Sequence, residues 1–284
     1  MIERRDTLKQ HKKGLVIWIV VVVLLLIASL AAGTQAPTES VQEAMRDAVL
    51  HDVNQVSLFG WITVSPGMIS ALLVTAFLLV AAALIRIFAI PRFQYQPGKL
   101  QLLLEEAVGL FDRMAKDNSP HQNRFVGAYI FAAGAYIFVG TLFELLGLQA
   151  PTVHGHYVTL PAPLSDINAA IALGTLSYLV ILSGGIAANG IKGVGKTLKE
   201  FSLPISMSFR LFGALLSGLL VTELVYYYVS LSFVLPVIVG VLFTLLHALI
   251  QTYVLTMLTA LYYGEVSEPS PKKDKQKKTK AQNA

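Results

Sequence analysis

The sequence has 284 residues, of which 55% are hydrophobic and 14% are charged, with a mean hydropathy of +0.63. A water-soluble domain needs more polar surface than this, so the composition excludes a soluble globular protein. The net charge of +5 comes largely from the two ends of the chain, and no basic-aromatic pattern indicates nucleic-acid binding. The absence of cysteine excludes disulfides and thiolate metal sites.

Long stretches without Lys or Arg predict the membrane spans, because a bilayer core of about 30 Å requires roughly 20 apolar residues per helix. We predict an all-α integral membrane protein with about six membrane-embedded helices. Basic residues cluster before the first span, between the second and third, between the fourth and fifth, and after the sixth, which predicts that these parts and both termini are cytoplasmic. The predicted spans cover residues 14–32, 66–90, 125–148, 166–188, 202–230 and 236–263.

Residues 1–33 have two interpretations. A basic segment, an apolar run and the small residues Ala31, Ala32 and Gly33 are typical of a cleavable signal peptide. The apolar run is longer than a usual signal core, which favours an uncleaved membrane anchor. The polar segment 34–65 that follows is predicted to lie outside the membrane.

A helix between the second and third spans is predicted to be amphipathic. Its polar face includes Gln101, Glu105, Asp112 and Lys116. This helix lies either on the cytoplasmic membrane surface or against neighbouring helices. Its apolar face consists of Leu100, Leu103, Leu104, Ala107, Phe111 and Met114.

The fifth span contains Arg210, about 15 Å along a helix from the charged Glu200 and therefore close to the middle of the bilayer. Arg cannot lose its proton at that depth, so this residue fixes a positive charge in the membrane. On an antiparallel hairpin of the last two spans, Gln251 falls opposite Arg210. Its neutral amide is predicted to hold the guanidinium without cancelling the charge.

Other polar residues are predicted to lie on either side of Arg210. Glu223, His247, Glu144 and Asp166 form a protonatable lining toward the outer face. Glu223 and His247 are offset by roughly 13 Å, so water would have to link them. Toward the cytoplasmic face, three polar groups precede Arg210 on the same helix. For each of them the alternative role is helix packing or a hydrogen bond to the backbone. These groups are Ser202, Ser206 and Ser208.

At this point the sequence resembles subunit a of the F-type ATP synthase. Two segments carry most of the resemblance, SLPISMSFRLFG at 202–213 and HALIQTYVLTMLTALYY at 247–263, with weaker support from PAPLSDINAAIALG at 161–174 and KLQLLLEEAVGLF at 99–111. The resemblance implies that Arg210 is the essential arginine of the family, Gln251 its glutamine partner, and 66–263 an ion-channel membrane domain. It also implies two long, tilted helices facing a rotating ring of c subunits, each with one carboxylate.

Three positions depart from the family pattern. Ala214 replaces the usual asparagine, and Leu219 and Thr244 replace the usual ionisable pair. We hypothesise that Glu223 and His247, one turn away from these positions, take over the proton relay.

The resemblance implies a non-catalytic, ion-translocating stator subunit that requires no cofactor. Its expected partners are the c ring, b-type peripheral stalk subunits, the F1 sector and membrane lipid, in a bacterial plasma membrane. The residues leave open whether H⁺ or Na⁺ is carried. The alternative is a small secondary transporter, although no internal repeat typical of that class is evident.

Three further segments are not predicted to contain functional sites. GIKGVGKT at 190–197 matches the phosphate-binding loop pattern, but that motif requires a preceding strand, so we predict no nucleotide site. His154 and His156 form a His-x-His pair that is more typical of a surface loop than of a metal site. The charged tail 264–284 is predicted to be disordered.

Overall fold

The computed structural model describes Val20 and residues 56–58, 62–120, 123–151, 157–227 and 235–268. These residues are mostly helical, which confirms the predicted fold class. All of the predicted first span except Val20, the His-x-His pair and most of the basic tail lie outside the described residues.

Seven α-helices follow one another in the described part of the chain. Short π and 3₁₀ turns, Ile85–Ala89 and Ile90–Arg92, extend α1, and the 3₁₀ turn Glu144–Leu146 extends α3. The helices are α1 Pro66–Leu84, α2 Lys99–Asn118, α3 Asn123–Phe143, α4 Ile167–Asn189, α5 Ile191–Lys199, α6 Ser202–Tyr227 and α7 Leu235–Ser267.

Two short antiparallel hairpins, which the sequence did not predict, lie beside the helix ends. The strands β1 Val56–Leu58 and β2 Ile62–Val64 lead into α1. The strands β3 Gln149–Pro151 and β4 Tyr157–Thr159 lie between α3 and α4. Each strand has three residues, too few to produce a readable alternation of apolar and polar positions.

Four described helices are long and apolar enough to cross a membrane: Pro66–Arg92, Arg124–Leu146, Ile167–Asn189 and Gly240–Ser267. A fifth span is obtained if α5 and the first part of α6, which meet at a bend of 49°, are counted together. The four helices correspond to four of the six predicted spans, and the span predicted at 202–230 is obtained only when α6 is counted together with α5, which the sequence placed in a cytoplasmic loop. With 33 residues, α7 is about 50 Å long, so it must tilt or extend beyond a 30 Å hydrocarbon core.

The core of the bundle lies between α3, α4, α6 and α7, where apolar side chains from all four helices pack together. Glycines let these helices approach closely, as is usual in membranes, where small residues replace large ones at helix contacts. At Gly174 of α4, an added Cβ would lie only 3.0 Å from the carbonyl oxygen of Pro204 on α6 and would clash with the Ser208 hydroxyl. This contact fixes α4 against the helix that carries Arg210.

The amphipathic helix packs against neighbouring helices near one end, and its predicted place on the membrane surface stays a prediction. Near its C-terminal end, α2 packs into the core, where Met114 and Ala115 are buried and Phe111 meets Phe131 edge-on at 5.6 Å between ring centroids. Near its N-terminal end, Leu100 and Leu103 are more than 60% exposed. Val108 and Leu110, farther along α2, are also about half exposed, so α2 keeps an apolar surface that the described chain does not cover.

The prediction of disorder is wrong for residues 264–267, which are helical. The last helix continues to Ser267 because its final carbonyl groups find donors: the Asn189 amide donates to Val266 at 3.0 Å and to Glu268 at 2.9 Å, and the Lys196 ammonium donates to Glu268 at 3.1 Å. A cation near a helix C-terminus also interacts favourably with the helix dipole.

We expect Gly174→Ala to destabilise the bundle by about 1–3 kcal/mol, because the added methyl group overpacks the contact between α4 and α6. Chemical denaturation of the detergent-solubilised chain measures this change. The matched control is Gly195→Ala on α5, where an added Cβ meets nothing within 4 Å. Equal stabilities of the two variants would contradict the close contact described here.

Candidate functional site

Arg210 lies on an exposed face of α6, nine residues into a helix of 26. The neighbouring side chains determine this orientation, since Met207 and Leu211 are 2% and 1% exposed and point into the core. Phe209 is 64% exposed beside Arg210. Arg210 is the only Lys or Arg on either α6 or α7, so one permanent positive charge faces outward from an apolar helix pair.

Small residues flank Arg210 along the same exposed face. Ser206 lies one turn before it, and Gly213 and Ser217 follow at helical spacing. An added Cβ at Gly213 would meet no atom within 4 Å. This strip of the described surface therefore leaves room for another helix to approach the guanidinium closely.

Gln251 lies opposite Arg210, as the predicted antiparallel hairpin requires, but its contact differs from the predicted one. The buried Gln251 side chain is 4% exposed, and its Nε2 donates to the backbone carbonyl oxygen of Arg210 at 3.3 Å. The amide therefore holds the peptide of Arg210 and not its guanidinium. The reason is geometric, since the Arg210 side chain points away from the helix contact in which Gln251 is buried.

The three serines before Arg210 lie in different environments, and their predicted place on the cytoplasmic ion path stays a prediction. Ser202 and Ser206 are exposed, whereas Ser208 is buried and donates to the Pro204 carbonyl oxygen at 2.6 Å. Ser208 faces Gly174 on α4, so its side chain is part of the contact between α4 and α6. Ser206 remains the serine on the face of Arg210.

A cavity of about 10 Å³, close to the space that one water molecule needs, lies between α3, α6 and α7. Glu144 and His247 both line it. The His247 ring stacks on Phe243 at 5.9 Å between centroids, and its Nδ1 lies 2.8 Å from the Phe243 carbonyl oxygen. A carboxyl and an imidazole next to the same small polar cavity can exchange a proton through water.

Five residues of this cavity were not predicted as site residues: Thr141, Leu215, Gly218, Phe243 and Thr244. The two threonines are buried and supply hydroxyl groups next to Glu144 and His247. Thr141 precedes Glu144 by three residues, so their shared helix face was a signal that could have found it. Gly218 could only be found from the packing of α6 against α7.

Asp166 forms structural contacts at two helix starts, and its predicted place in the protonatable lining stays a prediction. Its carboxylate caps α4 by accepting a hydrogen bond from the Asn168 backbone N–H at 2.9 Å. It also accepts one from the Ser65 hydroxyl at 2.6 Å, and the same Ser65 oxygen caps α1 by accepting from Met68 at 3.3 Å. Asp166 does not line the cavity of Glu144 and His247.

Glu223 lies on α6, thirteen residues beyond Arg210, but its side chain lies outside the description. Its hypothesised relay with His247 therefore stays a prediction.

The phosphate-loop pattern has no phosphate-loop structure. Residues 190–197 follow helix α4 directly, Gly190 turns the chain with φ +58°, and α5 begins at the next residue. The strand that this motif requires is replaced by a helix. Among the described residues, no group of three or more His, Asp or Glu side chains could hold a metal ion.

The fold and this site define a class of protein: a helical membrane protein of several spans that exposes one fixed cation on its penultimate helix. The family model described as ATP synthase A chain matches residues 68–264, more than half of the sequence. The chain therefore belongs to the ATP synthase A chain family, which makes it a component of the membrane sector of an ATP synthase.

Individual relatives agree with this assignment. The chain is 27% identical over 178 residues to ATP synthase subunit a of Cereibacter sphaeroides strain ATCC 17025, which covers 58% of this chain and 68% of that protein. The same values apply to ATP synthase subunit a of strain ATCC 17029. The family assignment decides against the small secondary transporter that the sequence left open.

We expect Gln251→Leu to lower the free energy of unfolding by about 1 kcal/mol, because the buried hydrogen bond to the Arg210 carbonyl is lost while the side-chain volume is kept. Denaturation of the detergent-solubilised chain measures the change. Tyr253→Leu is the control, since Tyr253 is 57% exposed two residues away on the same helix. If both variants unfold like the parent chain, the amide does not stabilise the contact between α6 and α7.

Proposed function

We propose that this chain is the stationary ion-channel subunit of the ATP synthase membrane sector, and that it passes protons, or alternatively Na⁺, to and from carboxylates on a rotating c ring. One observation carries the proposal: Arg210 presents the single fixed cation of α6 and α7 on an exposed apolar face. A charge in that position needs an anionic partner, because hydrocarbon does not solvate it, and no acid of the described residues supplies one.

The proposed cycle alternates the charge of a ring carboxyl. An ion from the outer side neutralises the carboxylate, which can then move into lipid because a neutral group loses far less solvation energy there than a charged one. After nearly a full turn, the carboxyl comes close to Arg210. The fixed cation favours the ionised form, so the ion is released toward the cytoplasmic side.

The same cation separates two half-channels. We assign Glu144, His247, Glu223 and Asp166 to the outer half-channel and Ser206 to the cytoplasmic one. An ion that passed directly between them would have to pass Arg210, which repels it electrostatically. Each ion that crosses 100 mV supplies about 2.3 kcal/mol, so rotation has to combine several ions for each ATP.

The surroundings of Arg210 are compatible with a moving partner. Ser206, Gly213 and Ser217 are small, so a helix of the ring can approach the guanidinium closely along this strip, with the exposed ring of Phe209 beside it. Gln251 holds the backbone and leaves the guanidinium free to reach outward. The stationary charge can thus meet each carboxylate in turn.

The remaining assignments follow from family membership. We propose that b-type peripheral stalk subunits and the F1 sector join this chain in the complex, that ATP chemistry takes place in the F1 sector, and that the protein lies in a bacterial plasma membrane. If the first predicted span is retained, both termini are cytoplasmic.

We expect Arg210→Ala to reduce ATP-driven ion pumping in inverted membrane vesicles to the background leak, because no fixed charge then drives ion release. Quenching of a pH-sensitive dye measures pumping, and repeating the assay with varied Na⁺ distinguishes the two ions. Arg124→Ala, which removes an exposed cation at the start of α3, is the control. Copurification of the c ring is measured for both variants, and normal pumping by an assembled Arg210→Ala complex would refute the proposal.

We expect Glu144→Gln and His247→Ala each to lower pumping by about tenfold or more, since each removes a protonatable group beside the shared cavity. The double variant is expected to be no worse than the more affected single variant if the two groups act in one relay.

Glu223→Gln, alone and with His247→Ala, tests the other hypothesised pair. Glu265→Gln near the end of α7 is the control. Normal pumping by all relay variants would exclude these residues from the outer path.

A further inference from the structure

A lateral cleft of about 710 Å³ lies where the span Pro66–Arg92 ends and α2 begins. The backbone forms it: the helix changes from α to π to 3₁₀ form over its last eight residues, and Pro91 helps to end it. The chain then turns, and α2 starts at Lys99. The cleft therefore lies at the end of a span, where lipid headgroups meet the hydrocarbon core.

A reciprocal pair of hydrogen bonds holds the turn in place. The Gln94 backbone N–H donates to the Gln101 side-chain oxygen at 3.0 Å, and the Gln101 amide donates to the Gln94 carbonyl oxygen at 3.0 Å. These bonds connect the extended segment after the span to the first turns of α2. These hydrogen bonds therefore fix the shape of the cleft within the chain.

The polar end of the cleft is positively charged. Arg92 and Lys99 line it, both are exposed, and neither forms an ion pair within the described part of the chain. Residues 85–101 contain three basic residues and no Asp or Glu. The next acidic residues on α2 already have partners. Glu105 accepts a hydrogen bond from the Gln101 amide at 2.7 Å, and Glu106 forms an ion pair with Arg113 at 2.7 Å.

The other end of the cleft is apolar and continuous with a surface suited to lipid tails. Phe88 and Leu84 in the cleft are 55% and 51% exposed, and Leu100 across from them is 63% exposed. Along α1, Phe77 and Leu79 are exposed by more than 60%. Little of this span is buried inside the protein, so its apolar outer surface is available to acyl chains.

The geometry points to a binding site for an anionic phospholipid. Its phosphate would lie between Arg92 and Lys99, and its acyl chains would run along Phe88, Leu84 and Leu100. Basic pockets between membrane helices at the headgroup level bind anionic lipid headgroups through this combination of charges and an apolar wall. A zwitterionic lipid has no net charge to complement the two cations, so the site is selective for net negative charge.

The test uses membranes that contain the assembled complex and a photoactivatable phosphatidylglycerol whose reactive group is in an acyl chain. We expect cross-links to concentrate in residues 84–103, about tenfold above those formed by a phosphatidylcholine probe with the same acyl chains. Excess inorganic phosphate is expected not to reduce this labelling, because the acyl chains supply much of the affinity.

The variant Arg92→Gln with Lys99→Gln is expected to reduce anionic-lipid labelling of this segment to the phosphatidylcholine level. The matched control, Lys192→Gln with Lys199→Gln, removes two exposed cations from α5 and is expected to leave labelling unchanged. The probe comparison on the unmodified chain decides the question if the first variant does not assemble. Equal labelling by both probes, competition by phosphate, or a cross-link to another subunit's helix at this position would each overturn the site.

Discussion

The permanent charge of Arg210 is the constraint on which the rest of this structure depends. A guanidinium keeps its proton in any environment that a protein offers, and hydrocarbon solvates it poorly. The chain does not neutralise this charge with an acid of its own among the described residues. Instead, α6 directs it outward from the bundle, toward whatever lies against the exposed face.

The packing around Arg210 explains how the charge is positioned without being neutralised. Gly174 lets α4 approach α6 closely, and Gln251 connects α7 to the backbone of Arg210 through a buried amide. Both contacts act on the main chain. The helix that carries Arg210 is therefore held in position while its guanidinium stays exposed, which is the arrangement that the proposed exchange of ring carboxylates requires.

Much of this organisation could be predicted from the sequence, because hydrocarbon imposes a simple pattern on long helices. Apolar runs bounded by basic residues located the described spans, and the register of the last two helices followed from constant helical rise.

The contact of Gln251 could not be predicted, because register indicates which residues are opposite each other but not which atom an amide reaches. The same limit separates Ser208 from Ser206, since only the close approach of α4 makes one serine buried and the other exposed. The end of α7 was misjudged because its stabilising donors, Asn189 and Lys196, are distant in the sequence.

The hydrogen bond between Ser65 and Asp166 has a consequence for how this protein can change over evolutionary time. One carboxylate caps α4 and also accepts from the hydroxyl that caps α1, so two helix starts share a single pair of side chains. Replacement at one position alone leaves the other without its partner. Among relatives that keep this arrangement, positions 65 and 166 should covary, with exchanges accepted in pairs that preserve one donor and one acceptor.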